Sequence, residues 1–284
     1  MEELPIEIAC SVLKHLNFNE LINICNAERK LPVNFKYAIK EKRVWKQKAL
    51  HIKSIGDVKK CLKNISSIKN CTKVSFSSGS VTAKEMLSLL NAIESIEKLS
   101  LENFINLDDQ TVEQILEKHG RTLRHLSLKG CQNLTNFTME KIGWNCTKIV
   151  SIDMSECSFS AAGLELLAES DNIIRSLKYL DVSKCYLLDQ GAILPLSRLT
   201  GLQSLSLRNL EWVNSNNLPY IIGNYLNIHK VDVRYCDDFT KQSVEQVKTN
   251  LNRPIQILEN TKLIDESADS IRGYLMALIN AEIV

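Results

Sequence analysis

No stretch of the 284 residues approaches the roughly 18 consecutive apolar positions that a membrane-spanning helix requires, so no such span is expected. The acidic start MEELPIE matches neither a secretory signal nor an arginine-rich transit peptide, and the cytosol or the nucleus is the expected compartment. Neither sign of charge dominates: 35 Lys and Arg stand against 33 Asp and Glu, a formal net charge of +2. The whole-molecule field therefore favours neither nucleic acid nor an anionic membrane, and neither is an expected partner. No C-x-x-C pair is present among the nine cysteines, which sit mostly in apolar or strand-like contexts at wide intervals. They are expected to be reduced, buried thiols, with no disulfide framework and no zinc site. The chain also lacks G-x-G-x-x-G, a Walker A loop, H-E-x-x-H and G-x-S-x-G, and none of its five histidines forms a metal pair at useful spacing. No enzyme activity, catalytic residue, cofactor or metal is expected.

What the sequence does have is self-similarity. The blocks LRHLSLKGCQNLT from Leu123, IVSIDMSECSFS from Ile149, LKYLDVSKCYLLD from Leu177 and IHKVDVRYCDDFT from Ile228 share L-x-x-L-x-L-x-x-C. Weaker copies start at Ile96 and Leu202, with Phe104 and Leu210 at the ninth position, and degenerate ones at Cys71 and Asn252. The six clearer copies are separated by 25 to 28 residues. In such a block the fourth and sixth residues alternate inward as a short strand, while the first and ninth turn into the interior. Cys131, Cys157, Cys185 and Cys236 are therefore expected to stack as a buried ladder, not a metal site. His125 and Cys131 are close in sequence, but the repeat places one outside and the other inside, so they form no catalytic dyad.

A helical stretch follows each strand, as at Asp109 to His119, where Val112, Ile115, Leu116 and His119 share one face behind the caps Asp108 and Asp109. One such unit cannot bury both its strand and its helix. The chain is identified as a leucine-rich-repeat protein, and the fold class it implies is α/β, a solenoid with a curved parallel sheet inside and helices outside. About eight units are expected over 71–263, closed by a capping helix over 264–284 in which Ile271, Leu275 and Leu278 hold helical spacing. The third, fifth and seventh residues of each strand face outward on the concave side. They are polar and of mixed charge, and a protein or peptide target would meet His125, Lys129, Asp153, Tyr179, Asp181, Arg208, Asp232 and Arg234 there. Asp153 and Asp181 are expected to be neighbours about 4.8 Å apart, with Lys129 and Arg208 flanking the central strands diagonally.

Residues 1–50 break the period. Pro5 suits a first helical turn, and Ile8, Ala9, Val12, Leu13 and Leu16 make an amphipathic stripe. A second helix holds Leu21, Ile24 and Cys25 and stops at Pro32, and a third carries Phe35, Ala38, Ile39, Val44 and Trp45. Residues 51–70, with Val58, Cys61, Leu62 and Ile65 at helical spacing, are expected to be a linking helix. The basic run Lys36, Lys40, Lys42, Arg43, Lys46, Lys48 and Lys53 reads as a solvated helix face, because no aromatic residues interleave at stacking intervals. Leu4-Pro5, Glu7-Ile8, Val12-Leu13, Leu16, Glu20-Leu21, Ala27, Arg29 and Val44-Trp45 resemble an F-box over positions 4 to 48. The resemblance departs at Leu31, where tryptophan is expected, and in the length of the segment before Trp45. With the repeats behind it, the chain resembles the leucine-rich-repeat F-box proteins. That resemblance implies a substrate receptor of a cullin-RING ubiquitin ligase, monomeric outside the complex. Leu4, Pro5, Ile8, Val12, Leu13, Leu16 and Leu21 would dock on a Skp-type adaptor, and the repeats would hold an unknown protein substrate. The alternative is a repeat scaffold or assembly factor that never meets a ligase.

Overall fold

Each repeat block contributes one short strand, and the strands stack in chain order. A computed structural model describes residues 5–46, 48–77, 81–236, 239–251 and 254–259. The strands are β1 (Ala49–Ile52), β2 (Lys73–Phe76), β3 (Lys98–Leu101), β4 (His125–Ser127) and β5 (Ser151–Asp153), then β6 (Tyr179–Asp181), β7 (Ser204–Ser206), β8 (Lys230–Asp232) and β9 (Gln256–Leu258). They form one nine-stranded, all-parallel sheet in sequential order. The fold is an α/β leucine-rich-repeat solenoid.

The inward pair of each strand builds the core. Leu126 and Leu128, Ile152 and Met154, Leu180 and Val182, and Leu205 and Leu207 are all buried, each contributing about 1.5–3 kcal/mol. The ninth-position thiols are buried except Cys236, which is half-buried, and none of the nine cysteines forms a disulfide. Each ninth-position thiol donates to the sixth-position carbonyl of the preceding unit. Cys131 reaches Leu101 at 2.9 Å, Cys157 reaches Leu128 at 3.1 Å, Cys185 reaches Met154 at 3.1 Å and Cys236 reaches Leu207 at 3.0 Å. Cysteine is favoured there because it is small, tolerates burial and still satisfies a carbonyl left over where the strand ends. Burial pushes the Cys131 thiol up to about 11 and the Cys185 thiol up to about 12, which makes both poor nucleophiles.

A second ladder was not legible as such in the sequence. The eighth residue of all six clear units has a positive φ: Asn103, Gly130, Glu156, Lys184, Asn209 and Tyr235, between 56° and 72°. This left-handed kink turns the backbone so that Asn103 N–H donates to Lys129 O, Gly130 to Ser155 O, Glu156 to Ser183 O and Lys184 to Arg208 O. At Gly130 a Cβ would run into the Asn103 side chain, so glycine serves both conformation and space.

Helices such as Ala83–Ala92, Asp109–His119, Asn136–Asn145, Ala161–Ala168 and Lys241–Leu251 cover the outer face. Their C-terminal ends are tied to the unit before: His119 Nε2 lies 2.9 Å from Leu90 O, Ser170 Oγ donates to Gly143 O at 2.8 Å, and the buried Tyr225 hydroxyl donates to Leu196 O. Helix-terminal carbonyls that would otherwise be unsatisfied thus find partners. The longest unit, from Ile149, accommodates its extra length in a second short helix, Asp171–Ser176.

The N-terminal segment forms four short helices where three were expected: Ile6–His15, Phe18–Asn26, Val33–Ala38 and Lys42–Trp45. The third divides because the buried Trp45 indole N–H donates to Ile39 O at 2.5 Å, which needs the chain to fold back between them. The second begins with a capping box, Asn17 accepting from Glu20 N at 3.0 Å and Glu20 accepting from Asn17 N at 2.7 Å. The sheet also starts one strand earlier than expected. β1 straddles the division at residue 50, and the expected linking helix, Ile55–Lys63, takes the outer-face place in that first unit. The capping helix expected over 264–284 lies outside the described residues. Among the described residues no helix is long and apolar enough to cross a membrane.

Candidate functional site

Two surfaces carry the residues singled out from the sequence. The first is the concave face, where parallel register aligns equivalent positions of successive units. The fifth position runs Ser100, Ser127, Asp153, Asp181, Ser206 and Asp232, each opposite the next. The third runs Lys98, His125, Ser151, Tyr179, Ser204 and Lys230. Asp153 and Asp181 are register partners, as the repeat pattern predicts. Arg208 manages the crowding of carboxylates: its guanidinium lies 3.4 Å from Asp181 and 3.8 Å from Asp232. Arg234 grips Asp232 with two bonds, 2.9 Å and 2.7 Å, in the bidentate geometry that suits a carboxylate.

Among the described residues no cation pairs with Asp153. Its Oδ1 accepts from Ser155 N at 3.0 Å and Ser155 Oγ at 2.7 Å. Burial, reinforced by Asp181 and Glu102, raises its carboxyl above the usual range against the pull of those bonds. Lys129, expected to flank the central strands diagonally, pairs with a rim carboxylate. Its ammonium lies 3.6 Å from Glu156, which also takes Lys184 at 3.3 Å, because the left-handed kink at Glu156 brings that carboxylate to the rim. Asp153, Tyr179, Asp181, Ser206, Arg208 and Asp232 line an open hollow of about 400 Å³. Tyr179 is 43% exposed in it. His125 faces outward while Cys131 is buried, so the two stand on opposite sides of the sheet.

A second hollow, of about 520 Å³ and lined by His51, Ser75, Ser100, Glu102 and Asn103 among others, has no signature in the repeat pattern. It begins on β1, whose Ala-Leu-His-Ile has lost the leading part of the repeat pattern. There His51 Nδ1 lies 2.6 Å from Ser75 Oγ, and Glu102 collects the hydroxyls of Ser100 at 2.9 Å and Ser127 at 3.2 Å. Among the described residues no group of three or more His, Cys, Asp and Glu side chains is placed to hold a metal ion.

The second surface is the first helix, where the predicted docking residues divide. Leu13 and Leu21 are fully buried and cannot meet a partner; they belong to the segment's own core with Ala9, Cys10 and Trp45. Leu16 is half-buried against that core. Ile8 and Val12, one turn apart, are each 46% exposed, and Pro5 is exposed in front of them. Leu4 lies outside the described residues. On the helix Val33–Ala38, Val33 and Tyr37 form a second exposed pair one turn apart. The segment also meets the first two repeat units: Asn64 Nδ2 reaches Asn26 at 3.3 Å and Thr72 Oγ1 donates to Lys46 O at 3.1 Å. Of the basic run, Lys40 pairs with Glu28 at 2.7 Å, and Lys48 closes the first helix by donating to Lys14 O at 2.6 Å and Leu16 O at 2.5 Å.

No family model matches the chain. Among solved structures it is similar to a chain of the Rad7 and Elc1 complex in yeast, at 17% identity and a TM-score of 0.45, over 73% of this chain and 67% of that one. It is also similar to the leucine-rich-repeat-containing protein LegL7 from Legionella pneumophila, at 13% identity and a TM-score of 0.48, over 74% and 73%. A third similar structure is internalin C2 from Listeria monocytogenes, at 11% identity and a TM-score of 0.47, over 84% and 92%. The nine-strand register itself, not these likenesses, identifies the fold.

Proposed function

We propose that this leucine-rich-repeat protein is the substrate-recognition subunit of a cullin-RING ubiquitin ligase in the cytosol or nucleus. The N-terminal helices dock on a Skp-type adaptor, and the concave face holds the protein to be modified. The observation that carries the reading is the division of the first helix. Ala9 and Leu13 fill the segment's core while Ile8 and Val12 stay on the surface. A segment serving only to cover the first repeat has no need of that second apolar pair, and apolar side chains one turn apart on a helix are what a partner's groove engages. The concave side supports a binding role: its hollows are shallow, polar and open, suited to a polypeptide.

The scaffold reading draws on a different observation. The same segment does cover the first repeat through Asn26 and Lys46, so it has a capping role whether or not an adaptor binds. Co-purification with a Skp-type adaptor separates the two. Wild type is expected to retain the adaptor and the Ile8→Asp/Val12→Asp variant to lose it while its melting temperature is kept; folded wild type that never retains the adaptor leaves the scaffold.

A further inference from the structure

At the third position of the repeat units, which opens β2, β3 and β4, Lys73, Lys98 and His125 stand in direct register, all exposed on the concave face. Among the described residues no carboxylate forms an ion pair with Lys73 or Lys98. Their charge is felt locally: after burial, Lys98, Arg124 and Lys73 hold the His125 imidazole below its ordinary pKa, with Glu97 opposing. On the next strands, β5 and β6, the sign reverses. Asp181 and Asp232 are neutralised by Arg208 and Arg234, but among the described residues no cation pairs with Asp153, and the exposed Tyr179 ring stands on the adjacent strand β6. A carboxylate beside an aromatic face suits a lysine or arginine side chain. From Lys98, the middle of the basic row, Asp153 is two strand spacings away and Tyr179 three, ~10–14 Å, the reach of three to four residues of extended chain.

Building on the reading of the concave face as the target surface, we propose that it binds an extended peptide segment whose acidic cluster and basic side chain lie three to four residues apart. The acidic residues lie over Lys73, Lys98 and His125, and the basic side chain sits on Tyr179 against Asp153. A nucleic acid fits less well. Its phosphates would meet Asp153, Asp181 and Glu102, and stacking platforms at successive intervals are missing from the third-position row.

The test is a selection of random peptides displayed on phage against the purified full chain, with enriched sequences remade as fluorescein-labelled synthetic peptides. Enriched peptides are expected to carry the acidic and basic clusters at that separation. Lys73→Glu/Lys98→Glu, both at exposed positions, is expected to weaken them about tenfold and Asp153→Lys by about fivefold, in keeping with partly exposed charge pairs. Ser127→Trp, which fills the face between the two ends, is expected to abolish binding. Peptides that Ser127→Trp blocks but that show no charge order overturn the proposal and leave the concave face as the target surface. Peptides indifferent to every one of these substitutions, or no enrichment at all, overturn both. Tighter binding of a mixed-sequence RNA oligonucleotide than of any peptide overturns the proposal as well.

Discussion

The repeat body and the N-terminal helices bury apolar residues equally well but are ordered by different means. In the body each unit is held by its neighbours through periodic contacts: thiol to carbonyl, left-handed kink to the next strand, helix end to the helix before. Nothing in the helical segment repeats. Its order is local, gathered around Trp45, which meets Phe18 edge-to-face at 6.2 Å and bonds to Ile39 O. The ladder uses up the inward groups of every unit in the stack, and, Tyr179 apart, the large apolar side chains the body leaves exposed, such as Trp144, Tyr186, Tyr220 and Leu226, lie outside the strands. A small local core leaves apolar surface over, and here that surplus is Ile8, Val12, Val33 and Tyr37.

Trp45→Ala breaks the comparison most severely. It should cost the helical segment about 3–5 kcal/mol, and hydrogen exchange should show amides 6–45 deprotected while β4 to β8 keep their protection. Ile152→Ala does the reverse at about 2–4 kcal/mol. Its loss should spread to β4 and β6 as well as β5, because a stacked unit has no core of its own. A smaller effect sharpens the account of the kinks. Lys184→Gly should raise stability by up to about 1 kcal/mol, because a non-glycine residue at φ 57° is strained, whereas Gly130→Ala should lower it by steric conflict with Asn103. Urea midpoints of the two variants should move in opposite directions.

The smallest effect is a pH dependence. Burial holds His119 below its ordinary pKa, so the folded ring stays neutral while the unfolded one takes up a proton below about pH 6.5. Stability from this group is present above that pH and is lost as the pH falls through the interval down to the depressed folded value. The carboxylates of Asp108, Glu85 and Glu94, each held low by hydrogen bonds, act only in a more acidic range. His119→Gln should flatten the urea midpoint between pH 7 and pH 5 relative to wild type.

The solenoid, its register and the buried thiols were legible because L-x-x-L-x-L-x-x-C states inside and outside position by position. The kinks were not. Asn103, Gly130 and Asn209 are residues that tolerate a left-handed backbone, but Glu156, Lys184 and Tyr235 are not, and stacking against the next unit overrides their preference. β1 was hidden because Ala49 to Ile52 keeps the alternation without the leucine frame. On the first helix, the stripe Ile8, Ala9, Val12, Leu13, Leu16 is wider than one contact face. Spacing could not say that Ala9 and Leu13 turn inward and Ile8 and Val12 outward, which depends on where the Val33–Ala38 helix packs. On the concave face the aspartate row followed from register, while the Lys129–Glu156 pair depended on a kink that the pattern does not encode.

The central claim is that the exposed half of the first helix is a docking face, and hydrogen exchange of the full chain with and without a purified Skp-type adaptor tests it directly. The account predicts new protection over residues 6–16 and 33–38 on complex formation, absent in Ile8→Asp/Val12→Asp. Adaptor binding that protects only the repeat units, or that survives this substitution unchanged, would contradict it.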